Sequence, residues 1–182
     1  MADLKALFWD VGGILLTNGW DRASRRKAVE TFGLDAEEFE SRTVFYRPRD
    51  FTNEAFKDFM FAQSAPYPEP LAIVERLAHS RRYLMATLNN ESLELNLYRI
   101  NRFGLRRHFT AFLSSCFLGV KKPDEVIYRL ALQLTQLAPT ESLFIDDRAL
   151  NLECAGRLGM RTIHYQNPAQ LEQALRESGI EL

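Results

Sequence analysis

Short apolar runs alternate with amphipathic stretches through most of this 182-residue chain, and that alternation constrains the fold more than any other feature. Residues 4–9 form an apolar run that ends in Asp10 and the Gly12-Gly13 pair, which reads as a buried strand opening into a loop. Beyond residue 70 the spacing predicts helix over 71–79, strand over 83–88, helix over 92–103 and strand over 109–114. After a turn through Gly119 and Pro123 it predicts helix over 124–134, strand over 142–145, helix over 150–158, strand over 161–165 and a closing helix over 168–177. Strands and helices in that order call for an α/β fold: a Rossmann-like parallel sheet with helices on both faces and ligands at the strand C-termini.

Residues between Trp20 and Pro70 have a different texture, polar and helical. Residues 21–32 end in Gly33, Asp35 can cap the next helix, and Thr52 starts another with Phe56, Phe59 and Met60 at helical spacing. Pro66, Pro68 and Pro70 then punctuate the return to the alternating pattern. The length suits one domain carrying a modest insertion.

Composition excludes several classes. With 23 basic and 24 acidic residues the chain has no electrostatic footprint for nucleic acid or an anionic membrane. Two distant Cys make neither a disulfide framework nor a zinc site, so a reducing, cytoplasmic setting is expected. Asp10 and the glycines interrupt the apolar start as a signal peptide would not be interrupted, and no run approaches the roughly 20 apolar residues of a membrane span.

The polar residues at the predicted strand ends carry the functional signal: Asp10, Thr87 with Asn89 and Asn90, Lys122, and Asp146 with Asp147. Carboxylates and a backbone carbonyl suit Mg²⁺, a hard cation that prefers oxygen. A carboxylate attacks phosphorus once a metal and a lysine neutralise the phosphate oxygens. Taken singly, each residue has an ordinary explanation: an Asp after a strand forms turns, a Lys-Pro lies on the surface, and Asp-Asp before a helix caps it. Only their joint order raises the odds of a site.

That order resembles a known family. Phe8-Trp9-Asp10-Val11-Gly12-Gly13-Ile14-Leu15 is similar to the first motif of haloacid dehalogenase-like (HAD) hydrolases. Gly119-Val120-Lys121-Lys122-Pro123-Asp124 resembles the third, and Phe144-Ile145-Asp146-Asp147 with Asn151, Ala155 and Gly159 the fourth. The resemblance implies a core of residues 1–15 and 71–182 and a short helical cap over 16–70, inserted after the first strand. It implies a Mg²⁺-dependent phosphatase of small phosphorylated metabolites, with Asp10 as nucleophile through an aspartyl-phosphate and Lys122 neutralising it. Asp10, Asp147 and the Gly12 carbonyl would hold Mg²⁺, with Asp146 supporting Lys122 or the metal's water shell and Asn151 behind them. A cap this short implies an open site, or one closed by another subunit of a homodimer.

Two departures from the family pattern stand out. Many relatives carry a second Asp, a general acid, where this chain has Gly12, which predicts a preference for good leaving groups. The second motif, Ser or Thr directly before Asn, reads here Thr87-Leu88-Asn89-Asn90. Either Thr87 fills its role through a shifted bulge, or Asn89 and Asn90 replace it; Thr87 plus Asn89 are the favoured assignment.

The remaining residues read more plainly. Trp20, Asp21 and Arg22 either line the cap–core cleft or, for Asp21, cap a helix. Arg47 and Arg49 suit an anionic substrate but are more often solvated. His79, His108 and His164 share no metal-ligand spacing, and Cys116 and Cys154 read as small buried side chains. Phe39, Phe45, Phe51, Phe56 and Phe59 read as the insertion's own core or, if exposed, a subunit contact. Against the phosphatase stand a metal-free dehalogenase, for which the Asp146-Asp147 pair has no use, and a weakly catalytic binding or scaffold module. A phospho-receiver domain would place its acid pair early in the chain and carry no such insertion.

Overall fold

The computed structural model describes residues 3–41 and 53–182; Phe45, Arg47, Arg49, Phe51 and Thr52 lie outside them. Five parallel strands make one sheet: β1 (Ala6–Trp9), β2 (Leu84–Asn89), β3 (Ala111–Ser114), β4 (Ser142–Asp146) and β5 (Arg161–His164). Their spatial order is β3-β2-β1-β4-β5, with β1 at the centre. Strand order reverses between β1 and β4, and such a switch point opens a crevice at the strand C-termini. Asp10 follows β1 and Asp146 ends β4.

Period-two alternation divides the strand residues between two helical layers. Leu7, Trp9, Met85, Leu143, Ile145 and Ile163 pack on one side against Ile73, Val74 and Leu77 of α4 (Pro68–Ser80) and Leu171 and Leu175 of α9 (Pro168–Glu177). Ala6, Phe8, Ala86, Leu88, Leu113 and Phe144 pack on the other against α7 (Glu125–Thr135) and α8 (Ala149–Arg157). Strands β1 and β4 are buried throughout, as expected where helices cover both faces. Helix α4 begins at Pro68, whose fixed φ suits a first helical turn, so the core resumes within the proline cluster.

Three helices fill the described part of the insertion: α1 (Arg22–Phe32), α2 (Ala36–Ser41) and α3 (Asn53–Ala62). Asp21 caps α1 by accepting from the Ser24 amide at 2.8 Å. Trp20 turns inward rather than lining a cleft: its ring meets Phe39 at 6.4 Å and Phe56 at 5.3 Å, and Phe32 meets Phe56 and Phe59 at 5.6 and 5.3 Å. These edge-on and tilted aromatic pairs give the insertion a small core of its own. Two crossovers join it to the sheet side by side. Thr17 donates its amide to the Ala65 carbonyl at 2.9 Å, and Tyr67 donates to the Leu15 carbonyl at 2.9 Å. Phe61 of α3 stacks on Tyr98 of α5 (Leu93–Arg102), with 4.4 Å between ring centroids. Among the described residues no helix is long and apolar enough to cross a membrane.

Candidate active site

The register of the sheet brings the site together. Trp9 pairs with Ile145, so Asp10 and Asp146 follow in line, and the Asp10 amide donates to the Ile145 carbonyl at 2.9 Å. The chain then turns back sharply after Asp10, with the Leu15 and Leu16 amides both on the Val11 carbonyl at 3.0 Å. This places Gly12 and Gly13 at the mouth of the crevice.

Lys122 reaches in from the loop before α7. Its ammonium is 2.6 Å from Asp146 Oδ2 and 3.1 Å from Asp10 Oδ1, and its side chain is 2 % exposed. Asn151 donates to both Asp146 oxygens at 3.0 Å, and the Arg148 amide donates to Oδ1 at 2.8 Å. Asp146 is therefore fully engaged in orienting Lys122. Asp10 Oδ1 accepts from the Val11 amide at 2.8 Å, which leaves Oδ2 with no donor among the described residues. Burial pushes the Asp10 carboxyl up to about 6, and nearby Asp146 adds to this while Lys122 opposes it.

Asp147 completes an acidic cluster in which one oxygen each of Asp10, Asp146 and Asp147 lies within 4.8 Å of the others. Burial and then Asp146 raise the Asp147 carboxyl, against the pull of Lys122. Three carboxylates face one lysine, so at neutral pH the strand ends carry excess negative charge that would repel a phosphate. A divalent cation held by oxygen ligands resolves that imbalance, and the donor set fits Mg²⁺. Asp147 is also the reason for Gly13. With φ at +80°, a Cβ on residue 13 would stand 2.3 Å from Asp147 Oδ2. Gly13→Ala is expected to cost about 1–3 kcal/mol from backbone strain. It should also displace Asp147, so a urea melt should show the loss of stability and a calorimetric titration weaker Mg²⁺ binding.

Two residues assigned from sequence are not in the crevice. Thr87 pairs with Trp9, one residue short of Asp10, so alternation turns it towards the opposite helical layer. Its hydroxyl is buried and meets no hydrogen-bond partner among the described residues. Asn89 donates to Asn96 Oδ1 of α5 at 3.3 Å. Asn90 takes the nearer place: it donates to the Lys122 carbonyl at 2.8 Å and accepts from the Lys122 amide at 2.9 Å, a two-point clamp on the lysine's backbone.

A cavity of about 110 Å³ lies over the strand ends, walled by Asp10, Gly12, Asn18, Asn90, Lys122 and Asp147, with Glu91, Arg99, Arg148 and Asn151. It is smaller than the roughly 300–1,000 Å³ of ligand pockets and suits a phosphoryl-sized group. Sequence reasoning missed Glu91, Arg99 and Asn18. Arg99 is 1 % exposed and pairs with Glu91, while its Nη2 donates to the Thr17 carbonyl at 2.8 Å and its Nε to Ser64 Oγ at 3.0 Å. It thus binds both crossovers of the insertion. The available signal was position: Arg99 lies four residues after Leu95 on the buried face of α5. His164, one of the three histidines that share no metal-ligand spacing, has its Nε2 3.0 Å from the Asp147 carbonyl.

Comparison with known proteins follows the same lines. A family model described as haloacid dehalogenase-like hydrolase matches residues 18–165. The chain belongs to this family. This member is built on the five-stranded parallel sheet described above. The flavin mononucleotide hydrolase 1 of Arabidopsis thaliana is 27 % identical over 148 residues, 81 % of this chain and 60 % of that protein. The (S)-2-haloacid dehalogenase 4A of Burkholderia cepacia is 29 % identical over 147 residues, 79 % of this chain and 60 % of that one. The chain thus spans less than two thirds of either relative. Among solved structures, a HAD family enzyme of Bacteroides thetaiotaomicron in complex with magnesium and inorganic phosphate is similar with a TM-score of 0.70. It shares 19 % identity, over 90 % of this chain and 94 % of that one.

Proposed function

We propose that this HAD-like hydrolase cleaves phosphate monoesters of small metabolites through a phosphoryl group carried on Asp10. The observation that carries this reading is the pairing of Asp10 with Lys122 at 3.1 Å beside a third carboxylate, Asp147, that has no cationic partner among the described residues. Asp10 Oδ1 is held by Lys122 and the Val11 amide, so Oδ2 is the oxygen free to attack phosphorus. Lys122 neutralises Asp10 in the resting site and the phosphate oxygens as they approach. Asp146, Asn151 and Asn90 fix the lysine from both ends. Asp10, Asp147 and the Gly12 carbonyl are the groups that would hold Mg²⁺, with Asp146 behind them. Bound there, Mg²⁺ supplies charge neutralisation and orientation for the phosphate.

The test is hydrolysis of an activated aryl phosphate by the purified chain. Turnover should require Mg²⁺, fall to background in chelator and return when the metal is restored. Turnover unchanged by chelator would overturn the metal assignment. The dehalogenase relative supports a second reading, in which Asp10 displaces halide from carbon. The acidic cluster weighs against it, since a metal-free displacement gains nothing from Asp147. Chloride release from a 2-haloacid in chelator, without phosphate hydrolysis, would establish that reading instead.

A further inference from the structure

The loop after β2 and helix α5 bring a charged pair, Glu91 and Arg99, to the strand ends. Glu91 and Arg99 sit in the wall of the same cavity as Asp10 and Lys122. The Glu91 side chain is 6 % exposed and its Oε1 is taken by Arg99 Nη1. Its Oε2 is buried and meets no hydrogen-bond partner among the described residues. A buried carboxyl oxygen with no hydrogen-bond partner is costly as a carboxylate and less so as the neutral acid, whose O–H then lacks only an acceptor.

The place of this pair matters. A Cβ on residue 12 would stand 2.9 Å from Asn18 Oδ1 and 3.8 Å from Arg99 Nη1, the nitrogen that holds Glu91. Asn18 therefore crowds the space into which a side chain at position 12 would grow, and Arg99, which holds Glu91, borders it at ordinary contact distance. Position 12 is where the usual general acid of the family is missing.

We propose that Glu91 is the proton donor to the leaving group, supplying from the loop after β2 what Gly12 cannot. The proposal rests on the phosphomonoesterase reading. As Asp10 Oδ2 bonds to phosphorus and the bond from phosphorus to the ester oxygen breaks, the proton on Glu91 Oε2 passes to that oxygen, releasing a neutral alcohol. Glu91, now a carboxylate, takes a proton from the water that attacks the aspartyl-phosphate. The phosphorus–Asp10 bond breaks, and free phosphate, the Asp10 carboxylate and protonated Glu91 are restored. Burial favours the neutral acid, with Arg99 opposing it. The Glu91 amide donates to Ser115 Oγ at 3.1 Å, which anchors the loop's backbone while Arg99 fixes the side chain.

The experiment compares wild type with Glu91→Gln on two substrates in Mg²⁺: p-nitrophenyl phosphate, whose leaving group departs without a proton, and a primary alkyl phosphate, whose leaving group does not. Gln keeps the shape of Glu and an oxygen for Arg99. The expected result is a loss of about 10²–10⁴-fold in kcat/KM for the alkyl ester and little change in kcat/KM for the aryl ester, since kcat/KM reports only formation of the phospho-enzyme; kcat falls for both esters where hydrolysis of the aspartyl-phosphate limits turnover. Because both rates come from one protein preparation, their ratio is insensitive to partial unfolding. Equal losses in kcat/KM on both substrates, or none on either, would overturn the role of Glu91 and leave the phosphatase reading intact. A wild-type chain that hydrolyses neither ester would overturn both.

Discussion

Asp10→Asn is expected to abolish turnover of every phosphate ester while making the metal-free protein more stable. The loss should be on the order of 10⁴–10⁶-fold, as for removal of other covalent nucleophiles, because the amide cannot accept a phosphoryl group. A steady-state assay with an activated aryl phosphate measures it. Rates equal to wild type would remove Asp10 from the mechanism. The gain in stability follows from burial. Asp10 is 9 % exposed, and its carboxyl is raised from 3.8 to about 6. A raised acid binds its proton more tightly folded than unfolded, so its contribution is fully present below about pH 4 and is lost as pH climbs to about 6. At pH 7 the ionised carboxylate therefore destabilises the metal-free protein by roughly 2–3 kcal/mol, which Asn relieves. Urea melts in chelator between pH 4 and 7 should show this fall in wild type and a flatter profile in Asp10→Asn. Activity and stability moving in opposite directions would separate a functional acid from a structural one.

Much of this was legible in the sequence for a physical reason. A parallel sheet buried on both faces requires continuous apolar strands, and residues 6–9 and 143–145 supply them next to Asp10 and Asp146. The joint order of Asp10, Lys122 and Asp146-Asp147 then fixed which strand ends to examine. Thr87 shows where such reading ends. Composition marks the right strand, but register decides the face, and an offset of one residue sends the hydroxyl to the far side of the sheet. Asn90 was visible in the same motif, yet only the closed loop reveals that it grips the backbone of Lys122.

Arg99 was hidden for another reason: a charged residue is read as exposed unless a partner is known. Its partners come from a loop and from both crossovers of the insertion, far from it along the chain, so no local pattern announces them. Glu91 inherits its place from Arg99. The aromatic core of the insertion was half legible, since helical spacing grouped Phe56 with Phe59, whereas the inward turn of Trp20 depended on how α1 and α3 meet.

Lys122→Ala is expected to destabilise the protein more than any other single change in the site. The lysine is the shared counter-ion of Asp10 and of Asp146, which is fully buried. Removing one member of a buried ion pair leaves the other charge desolvated and unpaired, and typically costs about 3–5 kcal/mol. For a chain of this size that corresponds to a fall in Tm of roughly 10–15 °C. Asn151 and the Arg148 amide keep Asp146 hydrogen-bonded but cannot cancel its charge. The deficit should therefore shrink when a carboxylate is neutralised. Asp146→Asn in the Lys122→Ala background is expected to recover a large part of the lost stability, although the same Asp146→Asn change in wild type is destabilising. Calorimetric melts of the two single variants and the double variant measure that coupling. Additive losses would show that Lys122 acts as packing rather than as counter-ion. Catalysis should not recover with stability, because the restored fold still lacks the cation that lets Asp10 approach a phosphate.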